Sequence, residues 1–157
     1  MHIRCQVDTV NIEVEEVAVA RQVAQVDGEV VVFLVGMRIN RWTRPWNWGP
    51  VFAAMPRMLA ELARADRGML GARTFWSGRV VLVVQHWRSE DELRAYARSA
   101  DAEHLPAWRR FNRRARATGD VGVFHETYRV DAADVESVYV SMEPVLLGAA
   151  TGGRVVG

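Results

Sequence analysis

Eight consecutive residues, Val30 to Met37, carry no charge and are apolar at both alternating sets of positions. In a strand, successive side chains point to opposite faces, so a run of this kind needs cover on both sides. It is also far too short to span a bilayer. The segment therefore reads as a central, buried strand, and any fold for this chain has to place a layer on each face of it. Asp27-Gly28 supplies a turn just before it.

The rest of the chain can be arranged around that strand. Residues 40–50 hold Trp42, Pro45, Trp46, Trp48, Gly49 and Pro50 and read as a loop. A helix is expected over about 51–66, with Val51, Met55, Met58, Leu59 and Leu62 on one stripe and a kink or restart at Pro56. Leu70 to Trp76 and Arg79 to Trp87 read as strands joined by a hairpin turn at Ser77-Gly78. Ser89 and Glu92 have the spacing of a capping box that opens a second helix. A further helical stretch is expected over 104–117, ending at Gly119, followed by a strand from Val121 to Val130 and a possible fifth from Val135 to Met142. Val10, Ile12 and Val14 alternate like a strand, while Val10, Val14 and Val17 fit a helix face, so residues 1–28 read only as an arm or extra element. Residues 29–143 form the domain, and the Gly- and Ala-rich tail 144–157 is expected to be loose or docked on a partner.

The order strand, helix, strand, strand, helix, strand is that of a ferredoxin-like α+β fold, β-α-β-β-α-β, with both helices on one face of the sheet. The other face is apolar as well, along Val30 to Leu34 and Val80 to Val84. A second copy of the sheet is the simplest cover, so a homodimer is expected.

Composition removes several classes of function. With 20 basic and 19 acidic residues the formal net charge is +1, which favours neither nucleic acid nor an anionic membrane as partner. The single cysteine, Cys5, allows no internal disulfide. Glu13, Glu15 and Glu16 interrupt the N-terminal stretch, which does not read as a signal peptide, and a cytoplasmic location is the default. No Gly-rich phosphate loop, nucleophile elbow or recognised metal-ligand spacing is present, and a metal site is not expected.

What remains is a small group of polar and aromatic residues in apolar settings. His104, Trp108 and Asn112 are spaced by four and share one helical face, with Phe111 beside them. A helix buried for packing alone avoids His and Asn there, because each unpaired buried polar group costs about 1–3 kcal/mol. The face fits either a cavity wall or an ordinary core stripe with satisfied polar groups. On the last strand His125 and Thr127 point one way while Glu126 and Tyr128 point the other. His86 lies on the preceding strand. An imidazole with an ordinary pKa of about 6.5 serves equally as base or ligand, and residue type does not choose among the three. Arg38, Arg41 and Arg44 either receive a carboxylate or stand solvated, the commoner case, and Trp42 and Trp46 either pack or close over an apolar ligand.

The segments VFLVGMRINR (32–41), AMPRML (54–59), QHWRS (85–89), HLPAWRRFN (104–112), GVFHETY (122–128) and YVSM (139–142) occur in this order. Together they resemble a bacterial and fungal family grouped with the monooxygenase of fumagillin-type biosynthesis, akin to the antibiotic biosynthesis monooxygenases. The resemblance covers about residues 28–150. It implies a dimeric α+β barrel and oxygen chemistry on a small apolar or aromatic intermediate of specialised metabolism, often with no cofactor required. Similar folds hold haem, as in haem-degrading monooxygenases and aldoxime dehydratases, so haem is the alternative cofactor. The haem-degrading relatives use Asn, Trp and His in their pocket, types present here as Asn112, Trp108 and His104. The chain departs from the family pattern at His86, where tyrosine is usual, and at Ser141, where asparagine is usual. The expected catalytic set is His104, His125, Trp108 and Asn112. The expected substrate contacts are Arg38, Trp42, Trp46, His86, Phe111, Glu126 and Tyr128. A non-catalytic dimeric ligand-binding module is the remaining alternative.

Overall fold

The computed structural model describes residues 21–64, 67–99, 109, 112–113 and 115–156. Among these, strand β1 spans Arg21–Ala24, β2 Glu29–Ile39, β3 Met69–Ser77, β4 Val80–Trp87, β5 Val121–Asp131 and β6 Gly153–Val156. Helix α1 spans Pro45–Arg64, α2 Glu90–Arg98 and α3 Leu147–Thr151, and the described residues between 109 and 118 are helical. Strands β2 to β5 form an antiparallel sheet in the order β3-β4-β2-β5. The architecture is α+β, and the apolar run Val30 to Met37 occupies the inner strand β2, as its two apolar faces require.

Local signals place most of the elements. Gly28 takes a left-handed φ of 73° in the turn before β2, and Gly78 one of 55° in the β3–β4 hairpin. The Ser89 hydroxyl accepts from the Glu92 backbone N–H and caps α2.

Three expectations need correction. The stretch 40–50 is loop only as far as Arg44, because α1 begins at Pro45 and runs on through Pro50 and Pro56. Proline suits a first helical position, where the missing N–H has no partner to lose. The first turn is held from far along the chain: Asn47 Nδ2 donates to Asp120 Oδ2 at 2.6 Å, and Arg41 and Arg44 pair with the same fully buried carboxylate. Residues 135–142 do not form a strand. Only Tyr139 pairs, exchanging two backbone hydrogen bonds of 2.9 Å with Gln22. The tail is not loose. Strand β6 pairs with β1, and α3 packs against β1 and β3, with Ala150 seated over Gly71.

The helix-facing side of the sheet carries two separate apolar clusters. One joins Met37, Val81, Ala115 and Val121, with Trp48 and Phe52 packed against it. The other joins Val31, Trp87 and Leu93, with Phe33, Met69 and Tyr96. No described helix is long and apolar enough to cross a membrane.

Candidate functional site

Strand register shows what lies between the two clusters. Paired residues on neighbouring strands share a face, and Ala72, Gln85, Phe33 and Thr127 make one row across the helix-facing side. Thr74, Val83, Val35 and His125 make the next. The clusters flank these two rows, and the rows are where polar groups gather. Gln85 is 7% exposed, whereas Thr74, His125 and Thr127 are open to solvent. The His125 ring lies 6.0 Å from that of Phe33, tilted at 45°. The result is a polar band, floored by Phe33 and Val35, between two apolar banks.

Asn112 sits one helical turn before the buried Ala115 and therefore on the same helical side. Its Oδ1 is buried with no hydrogen-bond partner. Each such orphan in a buried setting is costly, which marks Asn112 as a group awaiting a partner. His104, Trp108 and Phe111 lie outside the described residues.

The other expected site residues divide between a rim and the opposite face. The Trp42 ring stacks on Trp76, 6.1 Å away and 7° from parallel, and meets Trp48 edge-on at 5.3 Å. Phe52 adds an edge contact to Trp76, so these rings form an aromatic rim at the α1 end of the sheet. Trp46 lies in α1 and is 60% exposed. Arg38, His86, Glu126 and Tyr128 face away from α1 and α2, as their register with Val80, Val32, Leu34 and Val32 requires, on the side where α3 lies over Gly71. They share no site with His125. The exposed Arg38 lies 3.4 Å from Asn40 Oδ1. The Tyr128 hydroxyl donates to Glu126, and that hydrogen bond together with the carboxylate's charge holds the phenol above its usual range. His86 is 5% exposed, and desolvation lowers its pKa below the ordinary imidazole value.

Gln85 and Thr127 belong to the band yet were not singled out as candidates. A polar residue on the inward set of a valine-rich strand, two places before a tryptophan, was the available signal for Gln85. Among the described residues, no three His, Cys, Asp or Glu side chains gather to hold a metal ion.

Comparison with known proteins bears on fold and family. The chain is 29% identical over 136 residues to the monooxygenase af470 of Aspergillus fumigatus, a match covering 77% of this chain. It spans about half of that relative's length, 46%. A solved aldoxime dehydratase in complex with butyraldoxime superposes with a TM-score of 0.62 at 19% identity, over 73% of this chain and 35% of that one. A second aldoxime dehydratase gives 0.55 at 17% identity, over 87% and 38%. These likenesses bear out the ferredoxin-like α+β fold. Residues 30–147 match the family described as Monooxygenase af470-like, and the chain belongs to that family.

Proposed function

We propose that this chain is a monooxygenase whose substrate, a small apolar or aromatic molecule, lies on the helix-facing band with His125 as its base. The observation that carries the reading is the placement of an exposed imidazole between two apolar clusters, on the side of the sheet that also holds Gln85 and Thr127. The apolar banks hold the ring system. His125 takes a proton from a phenolic O–H or an activated C–H, and the resulting anion reduces dioxygen. One oxygen atom stays in the product and the other leaves as water, the electrons coming from the substrate. Asn112 would then orient the substrate through its unpaired Oδ1.

Haem is the second reading for the same place. The imidazole of His125 is exposed on that side, whereas His86 is enclosed on the other. His125 would be the residue to hold a haem there, and the haem would supply oxygen activation or dehydration chemistry.

The face away from α1 and α2, beyond the end that α3 covers at Gly71, is proposed as the contact with a second copy. Its middle rows run Arg73, Val84, Leu34, Glu126 and Phe75, Leu82, Gly36, Phe124. A twofold axis parallel to the strands sets each Arg73 over the other copy's Glu126 while the apolar centres meet. The reading includes no nucleic acid or membrane partner.

The test is incubation of the pure protein, with and without haem, with phenols and activated aromatic ketones under labelled dioxygen. One labelled atom per product is expected, with a loss of about a hundredfold or more in His125→Ala. A Soret band that appears with haem and is lost in His125→Ala selects the haem reading. Absence of incorporation across the panel in both conditions, or an unchanged rate in His125→Ala, overturns the assignment of His125. A parallel His104→Ala variant separates the two histidines.

A further inference from the structure

We infer that Gln85 is an oriented hydrogen-bond donor that selects substrates carrying an oxygen acceptor, a carbonyl or phenolate, on an apolar frame. The inference rests on the proposed band and deepens it by naming the chemistry the band reads.

Trp87 sets the direction of the Gln85 amide. Its side chain is fully buried, and an indole N–H can only donate. Left without an acceptor it would carry the full cost of desolvation. It finds one on its own strand, two residues back and on the same face, where Nε1 donates to Gln85 Oε1 at 2.9 Å. A glutamine amide can be turned end for end at little cost, but here the indole accepts no such exchange. It holds the oxygen and thereby turns the amide nitrogen the other way.

The Gln85 Nε2 hydrogens have no partner among the described residues. The neighbours in register are Phe33 on β2 and Ala72 on β3, and neither side chain accepts a hydrogen bond. A site residue of this kind is a donor only. A pure hydrocarbon would leave it desolvated and unpaired, and a second donor, such as an ammonium group, would oppose it. An oxygen acceptor satisfies it.

Register also gives the donor a distance from the base. Gln85 on β4 and Thr127 on β5 are separated by β2, two strand spacings or roughly 10 Å. His125 lies one row along from Thr127 on the same face. A frame about two rings wide therefore reaches from the acceptor contact at Gln85 to the imidazole at His125.

Two probes of equal shape decide the matter: 1-tetralone, which carries a carbonyl, and tetralin, which lacks it. Binding is followed by quenching of tryptophan fluorescence in mildly alkaline buffer. The wild-type protein is expected to hold tetralone about tenfold more tightly than tetralin. Gln85→Glu keeps an oxygen for Trp87 and removes the donor. In this variant the preference should vanish or reverse, with tetralin affinity within about threefold of wild type. Gln85→Leu should abolish the preference too, and the Glu variant guards against a fold weakened by an unpaired Trp87. If both probes bind and wild type shows no preference, or Gln85→Glu retains it, the donor role is overturned while the band stands. If neither probe binds wild type, the band itself fails and the donor role with it.

Discussion

The two faces of the sheet differ in what stands on the inner strands. Toward α1 and α2, the polar Gln85 stands on inner strand β4 between two apolar clusters, with Thr74, His125 and Thr127 beside it on the edge strands. Away from α1 and α2, the middle is apolar, with Leu34, Val84 and Leu82, and charges stand on the edge strands at Arg73 and Glu126. A polar centre walled by apolar groups suits a small molecule that brings its own polar atom. An apolar centre with a charged rim suits another protein surface. The lesson is that a single residue step along the strand gives one sheet two chemically different faces, which the proposed reading divides between substrate and second copy.

The largest effect is expected from Trp87→Ala. It removes the side chain at the middle of one helix-side cluster and frees Gln85, and it should cost about 4 kcal/mol of stability in urea unfolding. A loss below about 1 kcal/mol would show that this side is held otherwise, and the contrast between the faces would weaken.

Leu34→Glu tests the other face. It sets a charge in the middle of the row between Arg73 and Glu126 and should weaken self-association at least a hundredfold, measured by sedimentation at micromolar concentration. Binding of small aromatic probes on the helix side should persist in the resulting monomer. A wild-type protein already monomeric at that concentration breaks the comparison outright.

The smallest effect is a pH dependence from His86. Burial lowers its pKa in the folded chain, so the unfolded chain takes up the proton first. The stabilisation is complete above the ordinary imidazole value of about 6.5 and is lost as pH falls below it through the folded value. His86→Leu should flatten the change in unfolding midpoint between neutral and mildly acidic buffer. An unaltered slope would move the responsibility to another group.

These features differ in how far they could be read from the chain itself. The inner strand, the Ser89 cap and the turn at Gly78 depend on a few adjacent residues, so pattern alone located them. Alternation likewise assigned His125 and Glu126 to opposite faces. The start of α1 was misplaced because its first turn is tied to Asp120, 73 residues away from Asn47. The tail was misjudged because its partner β1 is a four-residue strand with no strong pattern of its own. Arg38 and His86 lie on other strands and were grouped with His125 by residue type, and only strand register separates them. Gln85 looked like a neighbour of His86 until the indole of Trp87 gave its amide a direction.

The pairing of β1 with β6 has a topological consequence. Arg21 lies opposite Val156, so this pairing closes residues 21–156, with the whole four-stranded sheet among them, into a single loop.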